Sequence, residues 1–331
     1  MGVDACHGLE LWAEDARRAG RPVELIVRDD CSDPAVARRQ VSELLEREAV
    51  DLLAGPYSSG LTRAVAPIAE ARGVVLWNHG GAADDIHRRG HRMLVGILTP
   101  ASRYLVPAVR WVRKGPILIL RRVASGFSLA VAAGAEAEAR RQGRPVRLEP
   151  YPVTCATLEA FLDRIDAAPP GLLLAAGRLA DDIALVRGLR RRGLAVPTAL
   201  VATPVRAFRL ALGPAVEGFV GASQWEITAR VTPSLGPPPR AFTWRFAACF
   251  GVPPDYPAAQ AYAAGLVMSR CVEIAGGSDQ KRLRAAAATL ACTTLFGRFR
   301  IDPVTGVQIG HEMLLVKWVG GRRRVIQVRA A

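Results

Sequence analysis

Residues 50–90 read VDLLAGPYSSGLTRAVAPIAEARGVVLWNHGGAADDIHRRG, an order of apolar runs and chain breakers that leaves little freedom of fold. The run from Val50 to Ala54 is short, apolar and stopped by Gly55-Pro56, as in a strand buried on both faces. Leu61, Val65, Ile68 and Ala69 then recur at helical spacing behind Ser58 and Ser59, either of which can cap the helix. A second apolar run, Val74 to Trp77, ends in Asn78-His79-Gly80-Gly81. A strand-helix-strand unit of this kind brings both small-residue loops to one sheet edge, where open α/β sheets bind ligands. A serine hydroxyl and free N–H groups at a helix N-terminus suit a carboxylate or another acceptor-rich group there. The plainer reading of the same residues is a helix cap and a chain turn.

The alternation continues on both sides. Residues 8–18 form an amphipathic helix with Leu9, Trp12 and Ala16 on one side, residues 23–27 a strand, and Asp33 caps a helix with Pro34 at its first position. Strands follow at 93–98, 116–120, 146–149, 172–176, 199–202 and 218–222, with helices between them reaching Trp111, Gln142, Ile165 and Arg191. This is the pattern of a parallel, doubly wound α/β fold. The units are too many for one sheet of ordinary width, so two domains are expected. Residues 232–240 (TPSLGPPPR) are linker-like and precede helices at 242–250 and 258–274. Residues 299–302 and 311–318 read as the strands of one β-hairpin about Asp302-Pro303-Val304-Thr305-Gly306.

Charge separates the function classes. The net charge is +14, yet only three of the 44 basic residues are lysine, and arginine is scattered along helix faces, as at Arg187, Arg190, Arg191 and Arg192, and at the tail in Arg322, Arg323 and Arg324. A nucleic-acid site needs a basic stripe interleaved with aromatics or a known motif; neither is present, so no nucleic-acid partner is expected. The six cysteines are far apart, with no zinc spacing. No apolar run reaches the roughly 20 residues of a membrane span, and residues 1–4 are not a signal peptide.

Two catalytic or metal readings compete with plainer ones. Ser58 or Ser59, His79 and Asp84 supply the residue types of a serine hydrolase, but Gly55 to Gly60 is not the G-x-S-x-G elbow and the histidine comes too early. His87 and His91 with Asp84 and Asp85 have helical spacing for a metal, but Gly90 interrupts it and Arg88, Arg89, Arg92 and Arg103 lie close in sequence, so surface histidines in a turn are expected instead. Gly276 to Asp279 is a turn with a helix cap rather than a phosphate loop. No cofactor and no metal are expected.

The order DDCSDP (29–34), VDLLAGPYSS (50–59), APIAEARG (66–73), VVLWNHGGA and a DDIHRRG turn, followed by AAQAYAA (258–264) and FGRFRIDPVTG (296–306), resembles type I periplasmic binding proteins of branched-chain amino acid and amide ABC transporters. The resemblance spans nearly the whole chain. It implies two Rossmann-like α/β lobes joined by three crossovers, residues 1–99 with 227–298 and residues 100–226 with 299–331, that clamp a small polar solute without chemistry. An ABC permease is the implied partner and the periplasm or cell surface the implied location; the start of the chain leaves a cytoplasmic location open. On matching positions Ser59 would hold a ligand carboxylate or amide, with Tyr57, Ser58 and Asn78 beside it and the Gly80-Gly81-Ala82 turn opposite. Ser125, Phe127, Arg178 and Thr203 would contribute from the second lobe.

Two departures from the family pattern matter. Ala82 stands where amino-acid binders often place a threonine, and no acid stands near Thr203 to pair an α-ammonium, so a carboxylate, amide or neutral solute is expected over a zwitterion. The family's first strand and its loop find no match before Gly8, so the first lobe is expected to lack one strand. The competing function is a ligand-sensing regulatory or receptor domain of the same fold, and the remote one a serine hydrolase.

Overall fold

The computed structural model describes residues 1–327; the last four residues of the expected second lobe, 328–331, lie outside the described residues. The chain divides into two compact α/β units, residues 1–100 with 229–312 and residues 101–228 with the stretch from Met313, so it passes between them three times. The first unit begins with α1 (Gly2–Arg18), α2 (Pro34–Glu46), β1 (Leu53–Ala54), α3 (Ser59–Ala71), β2 (Leu76–Asn78) and β3 (Leu94–Gly96). The second contains α4 (Val106–Trp111), β4 (Ile117–Arg121), α5 (Gly126–Arg141), β5 (Val146–Pro150), α6 (Cys155–Ala167), β6 (Leu172–Ala176), α7 (Leu179–Arg191), β7 (Thr198–Leu200), α8 (Arg206–Leu212) and β8 (Val220–Ser223). The chain returns to the first unit for α9 (Pro239–Phe250), α10 (Tyr256–Ala275), α11 (Gln280–Thr289), β9 (Cys292–Thr294) and β10 (Gly297–Phe299). It ends in the second with β11 (Leu314–Val319) and β12 (Arg322–Ile326).

In the first unit β1, β2 and β3 pair in parallel in that order, with Leu53 opposite Leu76 and Leu76 opposite Leu94. Leu76, Trp77, Leu94 and Val95 are all buried, as strands covered on both faces require. Asp33 starts α2 as the sequence predicts, its carboxylate accepting from the Ala35 amide at 2.6 Å and the Val36 amide at 3.2 Å. Helix α1 is longer than expected and packs against α10 at close range because small residues face it. A Cβ on Gly265 would lie 2.2 Å from the Trp12 ring, and one on Gly8 2.3 Å from the Ala258 carbonyl oxygen.

Residues 23–27 form no strand. Their sequence suits one, but among the described residues nothing pairs with them, and β1 is bonded on one side only, to β2. Among the described residues the first-unit sheet therefore ends at β1.

The second unit holds a seven-stranded sheet in the order β12-β11-β8-β7-β6-β4-β5. Strands β5, β4, β6, β7 and β8 run parallel, and β11 and β12 close one side antiparallel. Every residue of β6 is buried, and Ile117 to Leu120 of β4 pack beside it. Arginines of α7 tie the helix to its surroundings: Arg190 donates to the Ala215 carbonyl and lies over the Phe219 ring, and Arg192 donates to Glu159 and Asp163.

A hairpin does close about residues 302–306, with Ile301 bridged antiparallel to Gln308, the Asp302 amide donating to the Val307 carbonyl and the Ile309 amide to the Arg300 carbonyl, each at 2.8 Å. Its return arm is residues 307–309 and not the expected 311–318, because β11 pairs with β8 and β12 in the other sheet. The turn itself is real, with the Asp302 carboxylate accepting from the Val304 and Thr305 amides at 3.1 and 2.7 Å. Residues 299–312, assigned to the second lobe from sequence, belong to the first unit instead: the Gly96 amide donates to the Gly306 carbonyl at 2.8 Å, and Gln308 donates to the Ile97 carbonyl at 3.1 Å.

Candidate functional site

Because β1 and β2 are parallel neighbours, the turns that follow them lie side by side at one edge of the first-unit sheet. Their backbones are nearly in contact: a Cβ on Gly80 would lie 2.5 Å from the Pro56 carbonyl oxygen and 2.6 Å from the Tyr57 Cα. The two serines divide their roles. Ser58 is the N-cap of α3, its hydroxyl accepting from the Leu61 amide at 3.5 Å, whereas the Ser59 hydroxyl crosses to the second turn and accepts from the Ala83 amide at 3.0 Å. The Ser59 hydroxyl proton is left to donate, and the Ser59 and Gly60 amides at the helix N-terminus have no partner among the described residues. That is a set of donors aimed from a helix start, the arrangement that favours an anionic group.

Asn78 is fully buried and holds the second turn together. Its side-chain oxygen accepts from the Gly80 and Gly81 amides at 3.3 and 2.7 Å while its amide nitrogen donates to the Gly81 carbonyl at 2.8 Å. Its side chain is thereby committed to shaping the turn and not to a ligand, which corrects its expected role. Ala82 is buried and brings only a methyl group. Tyr57 pairs through its hydroxyl with Tyr256 at 2.6 Å, a partner on α10 that no local signal in the sequence announces.

In the second unit the loops after β4, β6, β7 and β8 share one edge, again because the strands are parallel. Ser125 caps α5, accepting from the Ser128 amide at 3.2 Å. The Ser128 hydroxyl donates to the Ala176 carbonyl and accepts from the Arg122 amide, which locks the loop after β4 to the end of β6. Arg122 meets the Asp181 carboxylate at 2.7 and 2.9 Å, and that carboxylate also accepts from the Arg178 amide at 2.8 Å. The Arg178 side chain is exposed and its guanidinium has no partner among the described residues. Phe127 is half-buried and meets Tyr104 edge-on at 5.2 Å, and Gln224 donates to the Tyr104 hydroxyl at 2.7 Å. Tyr104 and Gln224 escaped the sequence reading because neither stands in a motif.

Two groups at this edge belong to the interior. Thr203 is fully buried and its hydroxyl donates to the Val220 carbonyl at 2.9 Å, so it is a packing residue and not the ligand contact expected. Asp182, also fully buried, accepts from the Tyr151 hydroxyl at 2.7 Å and the Ala202 amide at 3.0 Å. Burial pushes its carboxyl up to about 7, against the opposing pull of those hydrogen bonds.

The catalytic ingredients do not assemble. Neither the Ser58 nor the Ser59 hydroxyl bonds His79, whose Nδ1 has no partner and which burial pushes down to about 4. His87 is buried against the Thr305 carbonyl at 3.1 Å, and among the described residues no cluster of histidine, cysteine and acidic side chains could hold a metal ion. No helix among them is long and apolar enough to cross a membrane.

A family model described as periplasmic binding protein matches residues 1–322. Among solved structures, a leucine-binding protein, LivK, from Thermotoga maritima superposes with a TM-score of 0.85 at 18% identity, covering 98% of this chain and 93% of its own. A putative branched-chain amino acid ABC transporter protein from Rhodospirillum rubrum gives 0.78 at 23% identity, covering 98% and 95%. A solute-binding protein of an ABC transporter from Rhodopseudomonas palustris, in complex with 3,4-dihydroxybenzoic acid, gives 0.80 at 18% identity, covering 97% and 90%.

Proposed function

Because the chain belongs to the periplasmic binding protein family, we propose that it binds a small organic carboxylate and delivers it to an ABC-type permease from the periplasmic or outer side of the membrane. The observation that carries this reading is the donor set at the start of α3: the Ser59 hydroxyl and the Ser59 and Gly60 amides, with no partner for either amide among the described residues. The exposed Arg178 guanidinium adds a positive charge from the second unit, since Arg122 beside it is already neutralised by Asp181. Among the described acids near this edge of the second unit, Asp181 is committed to Arg122, Asp182 is buried and Glu226 is buried against Arg323, so none of these three is offered to an ammonium. A zwitterion would bring a positive group with no counterion, which is costly once water is excluded. Relatives of the same fold support the class, for leucine and 3,4-dihydroxybenzoic acid share a carboxylate.

The solute binds to the Ser59 and Gly80 turns of the first unit, and Ser125, Phe127 and Arg178 are the candidate contacts on the loop edge of the second. A thermal-shift screen of small carboxylates against their amides, esters and α-amino acids tests the reading, because a ligand of the folded form raises apparent stability. Carboxylates without an ammonium should raise Tm; a screen in which only the esters or amides do so would refute the assignment.

A further inference from the structure

A cavity of about 500 Å³ in the first unit is lined by the last turns of α1, the second half of α10 and the segment that leads into α9. That volume falls in the roughly 300–1,000 Å³ range of small-molecule pockets. Trp12, Leu235, Pro237 and Leu266 give it apolar walls. Trp12 offers it no polar group, because its indole N–H already donates to the Ser269 hydroxyl at 3.0 Å. The leading segment lies close on α10: a Cβ on Gly236, where φ is +80°, would lie 2.3 Å from Leu266 Cδ1.

One charged group in the lining is left unsatisfied. Arg245 of α9 donates through Nη1 to Asp15, whose other carboxylate oxygen accepts from the Tyr262 hydroxyl at 2.6 Å. The Arg245 Nη2 is buried and has no acceptor among the described residues. A guanidinium nitrogen out of water with nothing to donate to is costly, and an acceptor in the cavity would relieve it. The rest of the lining has the same sign. Arg18, Arg21 and Arg270 also line the cavity, and their acids are shared: Glu14 serves Arg17 and Arg18, and Glu273 serves Arg21 and Arg270. With Arg245 on Asp15, five arginines face three carboxylates, an excess of two positive charges.

Apolar walls, a buried unpaired guanidinium nitrogen and a basic surround together select an anion with an apolar body. We propose that this cavity is a second ligand site, for a free alkyl or aryl carboxylate whose head group meets Arg245 and whose body lies against Trp12, Leu235 and Leu266. Its place on α1 separates it from the Ser59 turn. The helix begins beside Tyr57, whose hydroxyl lies 3.0 Å from Met1 Sδ, and the cavity takes Asp15, Ala16 and Arg18 from the other end, about 24 Å away at the helical rise of about 1.5 Å per residue.

Octanoate and octanamide, which share a body and differ in charge, test this on the full chain by amide hydrogen exchange. Octanoate should slow exchange at Gly236 and at residues 18–21 about tenfold, and octanamide should not. Arg245→Gln should raise the octanoate concentration needed about tenfold or more. Leu235→Trp fills the cavity and leaves the Arg245–Asp15 pair in place, so it should abolish the response even where the arginine variant folds poorly. Ser59→Ala should leave the response within about twofold, so that failure of this site and failure of the Ser59 site are separate results. No local response to octanoate, an equal one to octanamide, survival of the response in Leu235→Trp, or its loss in Ser59→Ala would each overturn the proposal.

Discussion

The Ser59 hydroxyl accepts from the Ala83 amide at 3.0 Å, so one side chain joins the two turns that end β1 and β2. Ser59→Ala removes both this link and the hydroxyl proton offered to solute. It should lower stability by about 1 kcal/mol and solute affinity by about 1–3 kcal/mol, the larger loss if the partner is charged. Chemical denaturation and titration calorimetry with a carboxylate found by the screen measure the two. Unchanged affinity would remove Ser59 from the site.

Gly80 and Gly60 make a contrasting pair. A Cβ at Gly80 meets backbone at 2.5 and 2.6 Å, which cannot swing aside, whereas at Gly60 the nearest atom is the Ser58 hydroxyl at 3.9 Å. Gly80→Ala should therefore cost about 1–3 kcal/mol, and Gly60→Ala less than about 0.5 kcal/mol. Melting curves of the two variants decide; similar losses would mean that the turns are not held as closely as described.

Arg178 and Thr203 should separate binding from packing. Arg178→Gln, at an exposed position, should leave stability within about 0.5 kcal/mol and weaken carboxylate binding about tenfold, the equivalent of one charge-assisted hydrogen bond. Thr203→Val should do the reverse, costing about 1–3 kcal/mol by leaving the Val220 carbonyl without its donor, with affinity unchanged. An exchange of these phenotypes would contradict the assignment of both residues.

Two buried groups give opposite pH dependences. Asp182 has a folded value of about 7, above its ordinary 3.8, so its contribution to stability is full below 3.8 and is lost as pH rises through 7. His79 is held down at about 4 from 6.5, so its contribution is present above 6.5 and is lost as pH falls through 4. Between about pH 4.5 and 6.5 the two slopes oppose, each reaching at most about 1.4 kcal/mol per pH unit. Asp182→Asn should expose a stability that climbs with pH, and His79→Leu one that falls. Parallel Tm profiles for both variants and the parent would refute the pair of assignments.

The β1-α3-β2 unit was legible because its apolar runs are stopped by Gly55-Pro56 and by Asn78 to Gly81, where both strands do end close by. Which serine capped α3 was not, since Ser58 and Ser59 offer the same hydroxyl and only the second turn distinguishes them. Thr203 was misread because its inward direction depends on a carbonyl 17 residues away, at Val220. At residues 302–306 the turn and its first arm were read correctly and the return arm was not, because residues 314–319 are held by the sheet that β11 joins. Strand β12 escaped notice altogether: its three successive arginines read as solvated charge, although Arg323 folds back onto Glu226 and the Pro204 carbonyl.

Strand β11 covers β8 on the side away from β7, yet 90 residues separate the end of β8 at Ser223 from the start of β11 at Leu314. During synthesis the second unit must wait with that side open while α9, α10 and α11 leave the ribosome, and the first unit must likewise wait for its closing stretch. Neither half is a finished nascent domain, so a premature stop shortly before Leu314 leaves a whole sheet uncapped and exposed to strand-seeking neighbours.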